Sequence, residues 1–313
     1  MKIIDLQTGK EYTLRPEDRI SAAIGNFDGV HIGHRALLAL AAEKRNGITK
    51  SAVFTFSEPT SRKLGGVSLL TAPEERYDYF RALGIDLLLL ADFDAIRSLD
   101  ADRFAKEILY DLCRVRHAVC GFNFRYGKKA AGNAETLKDS FSALGCAVTV
   151  LPPYQLQEMT VSSSAIREAL AKGDIPLANA MLGRPYALTA EVIHGKKLGR
   201  TLGFPTANQS FPTDRAVPKF GVYAVRVLAE GQWHEGVANV GVRPTVEQTD
   251  VCNCETYLFD YKGDLYGKLA KTEFCAFLRA ETVFPNVESL TYAVKKDIAE
   301  AKRYFKESKE TPQ

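Results

Sequence analysis

The sequence predicts an α/β fold, in which a doubly wound parallel sheet is followed by a small antiparallel β-barrel with a terminal helix. The chain has 313 residues, which is long enough for two ordinary domains. Between residues 20 and 182, apolar runs of strand length alternate with amphipathic helical segments, and this alternation is typical of a parallel sheet. Beyond residue 184 the pattern changes to repeated short strands separated by turns, which predicts a barrel.

The first half contains five apolar runs and four amphipathic segments. The predicted strands are 20–24, 52–56, 87–91, 118–121 and 147–151, and the predicted helices are 33–45, 73–83, 101–112 and 135–144. Helices should cover both faces of the resulting sheet. Ligands of such sheets bind beyond the carboxyl ends of the strands, so the loops that follow the strands are the candidate site.

The second half begins after Leu182-Gly183-Arg184-Pro185, where glycine and proline end a short helix. Its predicted strands are 188–194, 222–228, 234–240, 255–260 and 270–277, and a helix is predicted over 287–305. We therefore predict a first domain over 1–184, a second over 185–306 and a polar, frayed tail over 307–313.

The composition favours a soluble globular protein over a nucleic-acid or membrane protein. Hydrophobic residues make up 46% and charged residues 25% of the chain, and the net charge is only +3. The six cysteines show no disulfide or zinc spacing, and Cys252-x-Cys254 is interpreted as two strand residues. No apolar run reaches membrane-spanning length and the N-terminus has no apolar leader, so we expect a cytoplasmic protein.

The most informative stretch joins the first predicted strand to the first helix, and it reads Gly25-Asn26-Phe27-Asp28-Gly29-Val30-His31-Ile32-Gly33-His34. A helix N-terminus has free amides and a positive dipole end, and both favour an anion. Gly33 lets a ligand approach the backbone, and His31 and His34 can donate hydrogen bonds to phosphate oxygens during transfer. The alternative is that both histidines are ordinary loop and cap residues.

Two further loops follow strands of the same predicted sheet. In residues 121–129, Phe124 and Tyr126 could stack on a flat ring, and Asn123 could bind a phosphate or a hydrated metal. The alternative for this loop is a surface turn. In residues 161–167, Ser163, Ser164 and Arg167 could clamp a phosphate, although serines also cap helix starts by default.

The second domain carries a glycine-rich stretch with interleaved cations. Its candidate phosphate-binding residues are Gly195, Lys196, Gly199, Gly203 and Pro205. The following Thr206 and Asn208 provide a hydroxyl and an amide oxygen two residues apart, and such hard oxygen ligands suit Mg²⁺.

The histidine stretch resembles the signature of the HxGH nucleotidylyltransferase superfamily, and its flanking residues resemble those of the bacterial bifunctional riboflavin kinase/FAD synthetases. The loop 121–129, the motif 161–167 and the stretch 195–208 match this family in order, as do Glu255 and Arg279. The resemblance implies that the chain uses ATP and Mg²⁺ to convert riboflavin to FMN and FMN to FAD. It also implies that Gly25, Asn26 and Phe27 bind ATP.

The same resemblance implies roles for four residues that spacing alone does not assign. Glu255 would be the base that takes a proton from the ribityl hydroxyl, and Arg279 would contact the flavin together with Phe124 and Tyr126. The expected partners are the small molecules riboflavin, FMN and ATP, with no nucleic acid or membrane, and the oligomeric state stays open.

One segment departs from the family pattern. The family reads Thr-Phe-x-Pro-His-Pro after the second strand, whereas this chain reads Thr55-Phe56-Ser57-Glu58-Pro59-Thr60-Ser61. Two alternatives therefore stay open. One is a riboflavin kinase whose first domain adenylylates FMN poorly or acts on another acceptor, and the other is a flavin or nucleotide sensor without catalysis.

Overall fold

The computed structural model describes residues 1–7, 14–58, 65–195, 199, 202–243 and 251–310. The chain packs as two compact units, Met1–Ser163 and Ser164–Gln313.

The first unit is built on a sheet of six parallel strands in the order β1-β4-β3-β2-β5-β8. These strands are β1 (Lys2–Asp5), β2 (Arg19–Ile24), β3 (Thr49–Phe56), β4 (Leu87–Ala91), β5 (Val115–Gly121) and β8 (Ala147–Leu151). Strand order reverses between β2 and β5, so the loops after these two strands open beside the switch point where such sheets bind ligands.

Helices cover both faces of this sheet. They are α1 (Ile32–Glu43), α2 (Pro73–Ala82), α3 (Phe93–Ile96), α4 (Ala101–Arg103), which continues into a π-helical segment (Phe104–Leu112), and α5 (Ala134–Ala143). Leu38 of α1 and Phe80 of α2 belong to the core on one face. Phe104 of the π-helical segment and Phe141 of α5 belong to the core on the other face, so the predicted doubly wound arrangement is confirmed.

Short elements complete the first unit. Two small antiparallel hairpins pair β6 (Arg125–Tyr126) with β7 (Gly132–Asn133) and β9 (Gln155–Leu156) with β10 (Met159–Thr160). A single 3₁₀ turn lies at Lys128–Ala130.

The second unit opens with α6 (Ser163–Lys172), whose first residue ends the first unit, and α7 (Ile175–Leu182). Its sheet has the antiparallel order β11-β16-β13-β14-β15-β12. The strands are β11 (Tyr186–Glu191), β12 (Thr206–Ser210), β13 (Gly221–Ala229), β14 (Gln232–Arg243), β15 (Val251–Leu258) and β16 (Leu269–Ala280), and α8 (Val287–Glu310) follows.

The two edge strands of this sheet are joined. Ile193, just beyond β11, forms an antiparallel bridge with Asn208 of β12, and its N–H donates to the Asn208 carbonyl at 2.8 Å. The Gln209 amide donates to the carbonyls of Ala190 at 2.9 Å and Ala270 at 2.7 Å. These bonds close the sheet as the predicted small barrel.

The strands and helices predicted from the pattern are present, with ends shifted by a few residues. The sequence analysis missed two strands of the main sheets, β1 and β12, as well as the short strands of the two hairpins and helix α3. Strand β12 has the polar sequence Thr-Ala-Asn-Gln-Ser, which lacks an apolar run. Helix α8 continues through Glu310, so the first part of the predicted frayed tail is helical. The division at Ser163/Ser164 places most of α6 and all of α7 with the barrel, and the predicted functional boundary near 184 stays a prediction.

Within the part of the chain that the structure describes, no helix combines the length and the apolar character needed to cross a bilayer.

Candidate functional site

The two predicted histidines lie together at the N-terminus of α1. His31 is the N-cap residue, and its Nδ1 accepts the backbone N–H of His34 at 3.2 Å. The two imidazoles stack with centroids 3.6 Å apart and an angle of 15° between their planes. The sequence therefore places two rings, as predicted, where the helix amides and dipole favour a phosphate.

The loop that carries His31 has an unusual backbone. Phe27 has φ 52°, Gly29 has φ 85° and Val30 has φ 38°, so three of four consecutive residues lie in the left-handed region. Glycine adopts this region freely, whereas a β-branched valine does so only when surrounding structure holds it there. We define the histidine loop as residues 25–31.

Contacts from distant parts of the first unit supply that support. The Asp28 carboxylate accepts the N–H groups of Leu70 at 2.9 Å and Thr71 at 3.3 Å, and the Thr71 hydroxyl accepts the N–H of Gly29 at 3.1 Å. The Ser163 hydroxyl donates to the Asp28 carbonyl at 2.8 Å. Ser163, predicted as a phosphate ligand, thus holds the histidine loop directly.

Three residues of this loop were predicted to bind ATP. Two of them form backbone hydrogen bonds within the protein, and the third is buried in the core. The N–H of Gly25 donates to the Phe54 carbonyl at 3.2 Å, and the carbonyl of Asn26 accepts from the Arg76 guanidinium at 2.8 Å. Phe27 is fully buried, and its ring lies edge-on to His34 with centroids 5.2 Å apart. Phe27 therefore packs against His34 from the core.

Gly33 lies close to the stacked rings of His31 and His34. A Cβ at Gly33 would lie 3.3 Å from the His31 ring and 3.3 Å from the Cβ of Tyr154. This spacing is tighter than most side-chain contacts, and it explains why glycine stands between the two histidines.

The loop after β5 places its predicted ligands in different environments. Asn123 is exposed, and Phe124 is partly buried and stacks on Tyr126 with centroids 5.4 Å apart. Tyr126 is buried in the core, and its hydroxyl lies 3.2 Å from that of Thr136. Of the two predicted stacking rings, only Phe124 keeps exposed surface.

Ser164 and Arg167 lie in the first turns of α6 and belong to the second unit. Their action on a phosphate held by the histidines stays a prediction.

The second unit contains a cavity of about 290 Å³ lined by several predicted residues. Gly199, Thr206, Glu255 and Arg279 all face it, and apolar side chains such as Tyr257 add to its wall. A cavity of this size, with apolar walls and few polar groups, suits a small organic ligand.

Asn208 is not among the described residues that line this cavity, but it is paired in register with Glu255, which does line it, and it is 3% exposed. Its Nδ2 lies 3.3 Å from the Thr206 carbonyl and 3.4 Å from the Thr206 hydroxyl. Among the described residues, its buried Oδ1 has no hydrogen-bond partner. A buried amide oxygen without a donor beside a hydroxyl fits a site for a hard cation.

Glu255 is paired in register with two amides. On β15 it lies opposite Asn208 of β12, and on its other side it lies opposite Asn239 of β14. Glu255 is partly buried and faces the cavity. The strand pairing thus brings the predicted base and the predicted metal ligand to neighbouring positions of one sheet.

Arg279 reaches the same cavity from β16 but is already bound. Its guanidinium donates to both carboxylate oxygens of Asp297 on α8, at 2.8 and 2.7 Å. Asp297 is 4% exposed, and its hydrogen bonds raise the pKa of the Arg279 guanidinium. Arg279 therefore offers a fixed planar surface to the cavity, and contact with a flavin stays a prediction.

The predicted phosphate loop is described in part. A Cβ at Gly195 would lie 2.6 Å from the Asn208 Nδ2, and one at Gly199 would lie 2.4 Å from the Phe204 carbonyl oxygen. Gly203 has φ 83°, which favours glycine, and Pro205 is exposed. Lys196 lies outside the described residues, as do Pro59, Thr60 and Ser61 of the departing segment.

Four residues beside the two sites were not singled out by the sequence analysis. They are Asp28 and Arg76 around the histidine loop, and Asn239 and Glu281 at the cavity, where the Asn239 amide donates to Glu281 at 3.3 Å. Asp28 stands inside the histidine motif, so its position in the sequence could have identified it. Nothing in the sequence distinguishes Arg76, which stands among charged residues of a helix, from a surface arginine.

Two known family models match the chain, one over each of the two sites. The family model described as "FAD synthetase" matches residues 15–165, and the one described as "Riboflavin kinase" matches residues 182–305.

Similar proteins match along nearly the whole chain. A protein of Bacillus subtilis named "Bifunctional riboflavin kinase/FMN adenylyltransferase" is 37% identical, with 97% of this chain and 98% of that protein covered. One of the same name from Pseudomonas fluorescens is 38% identical, with 93% and 95% covered. A crystal structure described as a "Macrolide-efflux Protein" of Streptococcus pneumoniae has a TM-score of 0.81 at 30% identity, with 95% of this chain and 96% of that chain covered.

Proposed function

The chain belongs to the bacterial family of bifunctional riboflavin kinases/FMN adenylyltransferases, and we propose that the two activities of this family occupy the two sites described above. The chain phosphorylates riboflavin to FMN and adenylylates FMN to FAD with release of pyrophosphate. ATP donates the phosphoryl group in the first reaction and the adenylyl group in the second. The proposal assigns residues to each step.

The kinase reaction is assigned to the cavity of the second unit. Glu255 takes the proton from the ribityl hydroxyl of riboflavin, and the hydroxyl oxygen attacks the γ-phosphorus of ATP. The bond from the γ-phosphorus to the β,γ-bridging oxygen breaks, and ADP leaves. One observation carries this assignment. The buried Oδ1 of Asn208 has no hydrogen-bond partner among the described residues, and Asn208 itself is paired in register with Glu255.

Thr206 and Asn208 are the residues proposed to hold Mg²⁺. The ion would stabilise negative charge on the phosphates of ATP. Gly195, Gly199, Gly203 and Pro205 shape the loop that receives those phosphates, and Lys196 is assigned to the same loop from its sequence position.

The adenylylation reaction is assigned to the histidine loop. An oxygen of the FMN phosphate attacks the α-phosphorus of ATP, the phosphoanhydride bond from the α-phosphorus to the α,β-bridging oxygen breaks, and pyrophosphate leaves. His31 and His34 donate hydrogen bonds to phosphate oxygens as charge develops, and Asn123, Ser164 and Arg167 position the phosphates. The stacked pair at the N-terminus of α1 supports this assignment, and no covalent enzyme intermediate is needed.

The proposal also covers the residues that contact the flavin and the location of the protein in the cell. Phe124 and Arg279 contact the flavin at the first and second sites, respectively, whereas the burial of Tyr126 leaves it to support Phe124. The protein acts in the cytoplasm on the small molecules riboflavin, FMN and ATP.

The test is to incubate the purified full chain with ATP, Mg²⁺ and either riboflavin or FMN, and to separate the flavins by chromatography. FAD from both incubations is the expected result. FMN as the sole product from riboflavin, with no FAD from added FMN, would favour a kinase whose first domain acts on a different acceptor. No product from either flavin, with retained flavin binding, would favour a sensor.

A further inference from the structure

Arg76 is the largest fully buried side chain in the described part of the protein, with an exposed fraction of 0%. It lies in the first turns of α2, where the N-cap is Ala72 and the preceding turn is closed by Glu75. Removing a guanidinium from water is unfavourable unless hydrogen bonds or an opposite charge compensate. Burial accordingly lowers the pKa of the Arg76 guanidinium.

The hydrogen-bonding partners of Arg76 are backbone carbonyls. Its Nη1 donates to the carbonyl of Asn26 at 2.8 Å, and its Nη2 lies 3.4 Å from the carbonyl of Phe56. Its Nε has no hydrogen-bond partner among the described residues, and the carboxylates of Asp28 and Glu74 act on its charge electrostatically. The hydrogen bonds of this buried cation therefore go to the backbone.

The positions of the Asn26 and Phe56 carbonyls show what Arg76 connects. Phe56 ends β3, and Asn26 lies in the histidine loop two residues beyond the end of β2. Arg76 therefore joins the carboxyl ends of two neighbouring parallel strands at the point where the histidine loop begins. The Thr55 hydroxyl, also on β3, lies 3.3 Å from the same Asn26 carbonyl.

The histidine loop needs such a support because of its backbone. Phe27 and Val30 hold positive φ angles that cost free energy, and such angles persist only when surrounding contacts fix them. Asp28 and Gly29 are fixed by the segment that precedes α2, through Leu70 and Thr71. Arg76 supplies the corresponding contact at the start of the loop, from the same helix that this segment enters.

We propose that Arg76 is a positioning residue for adenylyl transfer, which holds the histidine loop so that His31 and His34 face the phosphates as a stacked pair. The inference rests on the proposed assignment of adenylylation to the histidine loop. Arg76 itself touches neither substrate, because its side chain is fully buried.

The test uses the full chain, whose riboflavin kinase activity serves as an internal control. In R76M the side chain keeps its length but loses every donor, and kcat for FMN adenylylation should fall about 10- to 100-fold, the cost of misplaced catalytic groups. Riboflavin phosphorylation by the same variant should stay within about twofold of the unmodified chain. R76K keeps the charge and one donor for the Asn26 carbonyl, and it should recover most of the lost activity.

R81M is the matched control. Arg81 lies on the same helix, its side chain is 48% exposed, and it pairs with Asp78 on the surface. Its substitution should leave both activities unchanged.

A second readout follows the histidines without turnover. The chain has five histidines, so their ¹⁵N-labelled imidazoles can be followed individually by NMR. In R76M the resonances of His31 and His34 should shift, while those of His117, His194 and His234 stay in place. This result would exclude a general loss of structure.

Wild-type adenylylation in R76M with unmoved His31 and His34 resonances would overturn the inference, as would a loss of activity without any shift of these rings. Should R76M fail to fold, T55V removes another donor to the Asn26 carbonyl without removing a buried charge. A smaller loss of adenylylation with shifts of the same two rings would then support the inference, and unchanged kinetics and resonances would overturn it. Absence of FMN adenylylation by the unmodified chain would instead refute the proposed function.

Discussion

The imidazole rings of His31 and His34 lie face to face, with their centroids 3.6 Å apart. The Nδ1 of His31 accepts the backbone N–H of His34 at 3.2 Å, so the lone pair of that nitrogen is used within the helix cap. In the neutral ring the proton then lies on Nε2. Nδ1 of His31 thus serves the helix cap, and we expect Nε2–H to be the group that donates to a phosphate.

Two substitutions of His31 should separate these tasks. H31A removes the cap acceptor, and we expect the free energy of unfolding to fall by about 1 kcal/mol and FMN adenylylation to be lost. H31N restores a good N-cap residue without an imidazole, so it should regain stability but not adenylylation. Thermal unfolding and the two flavin assays measure these effects. An H31N variant with wild-type adenylylation would show that the cap alone matters.

The buried Oδ1 of Asn208 leads to a prediction about Gly195. N208A should abolish most riboflavin phosphorylation because it removes a proposed Mg²⁺ ligand, while FMN adenylylation continues. G195A should give the same loss, because its new Cβ would come within 2.6 Å of the Asn208 amide and displace it. Activity is measured over a range of Mg²⁺ concentrations. G203A is the comparison for G195A. It adds a Cβ to the same loop at φ 83°, but no atom lies within 4 Å of that Cβ, so it does not displace Asn208. If G195A keeps wild-type kinase activity, Asn208 is not required in its observed position.

Glu255 is predicted to act on the kinase reaction alone. E255Q keeps the shape of the side chain but cannot accept a proton, so kcat for riboflavin phosphorylation should fall about 10²- to 10⁴-fold. Riboflavin affinity, measured by quenching of flavin fluorescence, should change little. Retained kinase activity in E255Q would remove Glu255 from the base role, and retained riboflavin binding shows that the second unit of the variant is folded.

His117 leads to a prediction about pH. Its ring bridges two hydroxyls across the parallel sheet, with Nδ1 2.9 Å from Ser21 Oγ and Nε2 2.8 Å from Thr149 Oγ1. Burial, and secondarily the charge of Lys44, lowers the pKa of His117 in the folded state. The unfolded chain, with an ordinary pKa of about 6.5, therefore binds the proton more readily, and the stabilisation by the neutral ring is lost as pH falls below that value.

Urea unfolding followed by circular dichroism, at about pH 7.5 and about pH 5.5, measures this effect. H117Q keeps a donor and an acceptor but does not titrate, so its loss of stability on acidification should be smaller than that of the unmodified chain. Equal losses would assign the pH dependence to other groups.

The elements that the sequence predicts well are those with a strong local pattern. The strands around Ile20 and Leu88 and the helix around Leu38 have apolar runs of the right length or period, and all of them are present. The histidine pair was predictable because His31, Gly33 and His34 stand close along the chain. Strand β12 was not predictable as a strand, since its polar sequence pairs with β15 only in the closed barrel.

The parts of the site that escaped prediction depend on contacts between distant residues. Arg76 is 50 residues from Asn26 along the chain, and its burial follows from the way α2 meets the ends of β2 and β3. Tyr126 shows the opposite case, because an aromatic residue in a loop motif suggested ligand stacking, and the folded chain uses it in the core. Sequence spacing alone does not separate these two uses of a ring.

The row formed by Asn208, Glu255 and Asn239 on three adjacent strands has a consequence for how this chain can tolerate insertions and deletions. Side chains alternate between the two faces of a strand, so removing one residue within β15 ahead of Glu255 would turn its carboxylate to the opposite face or force the whole strand to slip. Kinase activity could thus be lost with every motif residue still present in the sequence. The Glu230-Gly231 turn between β13 and β14 carries no such constraint, and length changes there should be far better tolerated.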